Sequence, residues 1–235
     1  MFHYVSHFNH AQNAWLQWNS ASFSYKNQHI QTLKAQLNRQ NKRLGKLINF
    51  HLQHAQTRLA EPISLIGITG ECNELYTSGR GVCLIVVENA SANTENRHYN
   101  FFAMLIAAMI AGNSVIICSD YASLNEQLSS ALRLATLPSN LIQLMPYDAF
   151  PALLENDIST VAYVGNNHVL QQIDKLLADK KGAIPALVFE THLAAPTLMH
   201  DPLLSLRFIT ERTRTINTTA IGGNASLLAL SLELC

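Results

Sequence analysis

An α/β fold, with a parallel sheet covered by helices on both faces, is predicted by three features of this 235-residue chain. Residues 101–119 (FFAMLIAAMIAGNSVIICS) read as an uncharged, buried helix, a Gly112-Asn113 turn and a buried strand. Short β-branched or apolar runs flank it, at 82–87 before and at 141–145, 160–164 and 186–189 after. Helical patterns alternate with them over short connections, which implies right-handed crossovers.

The segments divide as 1–60, an N-terminal helical segment; 61–200, the α/β domain; and 201–235, an extended β arm with a tail. In the first, residues 10–18 can form a short helix, and Ser22 or Ser24 can cap the next. Ile30, Leu33, Leu37, Leu44, Leu47 and Ile48 then mark a long amphipathic helix or helix pair over 25–59, interrupted at most near Gly45. A coiled coil is the alternative for this stretch. Glu61-Pro62 ends it.

Strands are expected at 63–69 and 75–77, and a turn at 78–81. The Asn-rich stretch 88–98 reads as a loop. Residues 122–134 form an amphipathic helix with Leu124, Leu128, Ala131 and Leu132 inward. A short helix is expected at 147–155 and another at 169–178, closed by basic residues and Gly182. In the tail, 203–209 and 213–219 are extended and read as a hairpin or a long arm about Thr210-Glu211-Arg212.

Composition narrows the function. Sixteen basic residues balance sixteen acidic ones, so nothing points to nucleic acid. The longest apolar run is too short to span a bilayer, and the first ten residues lack a secretory pattern. Cys72, Cys83, Cys118 and Cys235 have no metal-ligand spacing, which suggests a reducing, cytoplasmic setting. His3, His7 and His10, and also His51 and His54, stand at helical spacing, but no carboxylate or thiol cluster accompanies them. They read as solvated histidines.

Four stretches carry a resemblance to a known family: residues 69–75 (TGECNEL) with 79–82 (GRGV), 107–115 (AAMIAGNSV), 161–165 through Phe189-Glu190-Thr191, and 211–230 (ERTRTINTTAIGGNASLLAL). From Glu61 onward the chain resembles the aldehyde dehydrogenase superfamily, most closely the non-catalytic aldehyde-dehydrogenase-like domain of long proline utilization A. The resemblance implies a Rossmann-like sheet and a β arm that serves as an oligomerisation flap.

An aldehyde dehydrogenase needs a thiolate nucleophile, a general base, an oxyanion donor and NAD. By resemblance Glu190 stands at the base position, with His192-Leu193 in place of two glycines. No cysteine lies between Glu190 and the terminal Cys235, so no nucleophile matches, and the catalytic domain is read as missing. Cys118 stands where the family has the lysine that holds the adenosine ribose. Gly165-Asn166 replaces the Gly-Ser pair at the phosphate-facing helix start. The oxyanion segment is replaced by residues 88–98, and Asn100 only echoes it.

The resemblance therefore implies a chain with no catalytic residue and no bound cofactor, Glu190, Gly165 and Cys118 being vestigial. Thr213, Thr215, Asn217, Thr219, Gly222 and Gly223 would form the docking strand and its loop. The partner would be a proline utilization A, a pyrroline-5-carboxylate dehydrogenase, or a second copy exchanging arms. Two alternatives remain from the sequence: an NAD-dependent pyrroline-5-carboxylate dehydrogenase, and a nucleotide-binding module without chemistry.

Overall fold

The computed structural model describes residues 2–66, 71–90 and 92–217. Three helices come first: α1 (Phe2–Ser20), α2 (Phe23–Gln40) and α3 (Lys42–Leu59). Ser22 caps α2 by accepting the N–H of Tyr25 at 3.2 Å. The break between α2 and α3 falls at Asn41, whose side chain accepts the Arg43 N–H at 2.9 Å. Gly45, the expected break, lies inside α3 instead. A Cβ there would meet the Asn38 side chain of α2, so the glycine lets the two helices close up.

Next come β1 (Ile63–Ile66), β2 (Glu71–Gly79), β3 (Val82–Val87), α4 (Thr94–Ile110) and β4 (Ser114–Ser119). The chain continues through α5 (Ala122–Leu134), β5 (Ile142–Met145), a 3-10 turn at Tyr147–Ala149, α6 (Phe150–Leu154), β6 (Thr160–Val164), α7 (Asn167–Ala178) and β7 (Ala186–Glu190). Short 3-10 turns at Leu198–His200 and Leu204–Phe208 lead into β8 (Ile209–Asn217).

Five strands form a parallel sheet in the order β5-β4-β3-β6-β7. Alternation of side chains splits its core in two. Cys83, Ile85, Val87, Val115 and Ile117 face the cluster built with α2, α3, α4 and α5. Leu84, Val86, Ile116, Cys118, Val161 and Tyr163 face the other, with α1, α6 and α7. From Phe101 onward α4 is buried on every side, as its uncharged sequence requires. Full burial of each of its large side chains contributes about 1.5–3 kcal/mol.

The N-terminal segment belongs to this core. Phe8 and Ala11 of α1 cover the sheet, and the buried Trp18 donates Nε1–H to the Met109 carbonyl at 2.8 Å. Asn19 reaches the second sheet, accepting the Gly79 N–H at 2.7 Å.

That second sheet has three antiparallel strands in the order β1-β2-β8. The tail is therefore not a hairpin folded on itself. Thr210, Glu211 and Arg212 sit inside one strand that returns to β2, with Thr213 opposite Leu75 and Thr215 opposite Asn73. Stretch 88–98 also departs from the sequence reading, because α4 begins at Thr94. The buried Arg97 turns back and donates to the carbonyls of Ala90 (2.6 Å) and Ala92 (3.0 Å), which fastens the polar entry to the helix. Among the described residues, no helix is long and apolar enough to cross a membrane.

Candidate functional site

In an open parallel sheet the binding crevice lies beyond the C-terminal strand ends, where the strand order reverses. Here the chain builds β3, β4 and β5 outward and then crosses back to place β6 on the other side of β3. The reversal point is thus the gap between the ends of β3 and β6, at Glu88 and at Gly165-Asn166.

That gap is bridged by side chains. The Glu88 carboxylate accepts the backbone N–H of Asn166 at 2.7 Å and the Asn166 side-chain amide at 2.5 Å. Asn166 is also the N-cap of α7, accepting the Val169 N–H at 2.9 Å. The buried Tyr163 hydroxyl lies 3.2 Å from Glu88 Oε2 and 3.0 Å from the Asn166 carbonyl. Burial and then the Glu88 charge push its phenol far above the usual range.

Gly165 shows how close these groups come. A Cβ there would stand 2.1 Å from the Tyr163 hydroxyl and 2.6 Å from Glu88 Oε2. The open side of the glycine is filled by the chain's own phenol and carboxylate. Nearby, Asp120 accepts the Tyr147 N–H at 3.0 Å. Cys118 is wholly buried among apolar neighbours, and that burial raises its thiol above the ordinary range.

Glu190 lies at the end of β7, nearly buried. Its Oε1 accepts the His192 N–H at 2.9 Å, and Oε2 accepts those of Thr197 (2.8 Å) and Leu198 (3.2 Å). Three backbone donors hold it as a loop anchor. Asn100 is buried in α4 and accepts the Met199 N–H at 3.2 Å, so it ties the same loop from the other side.

The structure does not gather the remaining candidates into one site. Thr213 and Thr215 lie in β8, and the Thr215 hydroxyl donates to Asn73 Oδ1 at 2.6 Å. Asn217 ends that strand opposite Glu71. Thr219, Gly222 and Gly223 lie outside the described residues. Among the described residues no group of histidines, cysteines and carboxylates could hold a metal. His51 is not a solvated histidine. It is buried, its Nε2 lies 3.1 Å from the Met199 carbonyl, and burial lowers its pKa to about 4. An apolar cleft of about 400 Å³ lies among Leu47, Phe50, Tyr99 and Met199, rimmed by Arg43, Lys46 and His200, and no cysteine, serine or threonine lines it.

Sequence reasoning passed over Glu88 and Tyr163. One acidic residue at the head of an Asn-rich stretch carries no pattern, and Tyr163 reads as an ordinary strand residue. The one available signal was position, since Glu88 directly follows the central strand.

No protein-family model and no curated protein matches the sequence. Solved structures do match. A mutant proline utilization A from Bradyrhizobium japonicum superposes with a TM-score of 0.70 at 19% identity, over 80% of this chain and 22% of that one. The fold is that of the aldehyde dehydrogenases. Proline utilization A from Bdellovibrio bacteriovorus, inactivated by N-propargylglycine, gives 0.67 at 18% identity, over 80% and 22% of the two chains. An NAD-dependent benzaldehyde dehydrogenase from Corynebacterium glutamicum gives 0.62 at 14% identity, over 80% and 46%. This chain thus spans about a fifth of proline utilization A and under half of the benzaldehyde dehydrogenase.

An aldehyde dehydrogenase fold implies NAD. The residues at the reversal point do not fit it. A pyrophosphate at the start of α7 would have to share its place with the Glu88 carboxylate, and like charges in contact repel. On the neighbouring strand, Cys118 offers a buried thiol and no cation.

Proposed function

We propose that this chain is a non-catalytic aldehyde-dehydrogenase-like accessory protein of proline catabolism, working in the cytoplasm. It docks through its β arm on a proline utilization A or a pyrroline-5-carboxylate dehydrogenase. The observation that carries the reading is the three-stranded sheet. Among the described residues β8 pairs with β2 on one side only, which leaves its outer edge open to another strand. Aliphatic side chains stand exposed on both faces, Ile63 (56%) and Leu65 (44%) on one and Ile216 (49%) on the other. A sheet of this size is normally covered on at least one face.

The absence of chemistry supports the same reading. Only 18 residues separate Glu190 from the start of β8 at Ile209, and none is a cysteine. Glu190 is spent on three backbone donors. The likeness to proline utilization A suggests the partner class, and the open strand edge suggests how it is met.

Co-purification with a proline utilization A or a pyrroline-5-carboxylate dehydrogenase from the same cells tests this. The complex should form with the whole chain and be lost when residues 211–235 are removed. A complex that survives the deletion sinks the docking-strand assignment. A homodimer alone would identify a second copy as the occupant of the edge. NAD-dependent oxidation of pyrroline-5-carboxylate by the purified chain would overturn the non-catalytic reading.

A further inference from the structure

We propose that Glu88 is a built-in anion that closes the dinucleotide crevice, so that the chain refuses a pyrophosphate by occupying its place. The inference deepens the reading of a fold without chemistry and does not depend on which partner the arm meets.

Three observations converge. Glu88 stands at the reversal point of the sheet, directly after the central strand, where a dinucleotide would cross the strand ends. Its carboxylate takes the backbone N–H and the side-chain amide of Asn166, the N-cap of α7, beside the place where a phosphate would meet the helix start. Gly165 has no side chain on the crevice side, an opening that would let a ligand approach the backbone. Here the Tyr163 hydroxyl and Glu88 Oε2 fill that opening. A ligand anion would have to displace all three contacts and meet the carboxylate as well.

The contact also explains why the crevice stays shut without a lid. Glu88 is joined to β6 through its own backbone N–H, which donates to the Val164 carbonyl at 3.0 Å. Gly165 is joined to β7 through the Glu190 carbonyl at 3.2 Å. These bonds stitch the strand ends together and set the Glu88 backbone beside the start of α7.

The test compares wild type, Glu88→Ala and Glu88→Gln, with inorganic pyrophosphate and NAD as separate probes. Binding is read from the amide resonances of Asn166, Asn167 and Val169 and from calorimetry. Wild type should show no saturable shift with either probe. Glu88→Ala should bind pyrophosphate at least about tenfold more tightly than wild type. Glu88→Gln keeps the shape but drops the charge and should gain less. If Glu88→Ala does not fold, the Gln variant carries the comparison on the same terms. Wild type and variant responding alike, whether both bind or neither does, overturns the proposal. Wild type binding NAD would also remove the inert reading, whereas silence in all three removes only the role of Glu88. A response to pyrophosphate but not to NAD supports closure by charge and assigns the loss of the nucleoside contact to Cys118.

Discussion

Asn113 Nδ2 donates to the Phe208 carbonyl at 2.9 Å, which fixes the root of the β arm to the centre of the sheet. The same amide donates to Ala108 at 2.9 Å, and its Oδ1 accepts the Gly81 N–H at 3.1 Å. One fully buried side chain thus joins the end of α4, the entry to β3 and the start of β8. Asn113→Ala takes this partner from the Phe208 carbonyl and the Gly81 N–H, while the Ala108 carbonyl keeps the Asn113 backbone N–H at 3.1 Å, and it should lose about 3 kcal/mol of stability in urea unfolding. Asn113→Asp should be worse, because a carboxylate would face two carbonyl oxygens. An alanine variant as stable as wild type would show that the arm is held elsewhere.

His51 makes stability depend on pH. Its pKa in the fold is about 4, against 6.5 when exposed, through burial. Between these values the unfolded chain binds a proton that the folded chain does not. Its contribution is therefore full above pH 6.5 and is lost as pH falls toward 4. Between pH 7 and pH 5 the loss should be about 2 kcal/mol. Denaturant midpoints across this range, compared with His51→Gln, check it, and a variant with an unchanged slope rules His51 out as the cause.

Lys26 acts with the same sign at the alkaline end. It is buried, its Nζ donates to the Asn19 carbonyl at 3.2 Å, and burial lowers its pKa from 10.5 to about 8. Stability should rise between pH 8 and 10.5, as the folded chain sheds this proton first. Lys26→Met should flatten that rise relative to wild type. An identical alkaline profile in the two proteins would refute it.

Glu190→Gln tests whether that carboxylate is an anchor. An amide placed against three N–H donors must turn its NH2 toward at least one of them. The variant should lose about 3 kcal/mol. Amide exchange should quicken around Thr197 and Leu198. A neutral effect would leave the role of Glu190 unexplained.

Much of this fold is written in runs of one residue type. Strands β3, β4 and β6 show as uninterrupted apolar stretches because both of their faces are buried. The start of α4 was hidden because polar residues such as Arg97 and Asn100 are buried there and satisfied by carbonyls distant in the pattern. Gly45 looked like a break because propensity sees the missing side chain and not the neighbouring helix that needs the space. The crevice was half legible. Gly165 and Cys118 could be placed by resemblance, but the decisive carboxylate comes from a different strand, 78 positions away from Asn166. The pairing of β8 was equally remote, and no local rule forecasts which edge a distant strand will seek.

That remoteness has a kinetic meaning. Arg214 of β8 forms an ion pair with Glu74 of β2, 140 positions earlier. During synthesis β1 and β2 emerge long before β8 does, and the intervening parallel sheet can assemble first. Until then the β2 edge stands bare, ready to take any strand that offers itself. The nascent chain therefore passes through an interval in which a neighbour's arm can reach this strip of backbone before its own arm exists. Slowing translation ahead of residue 209 should lengthen that interval and raise the share of strand-exchanged molecules among the products.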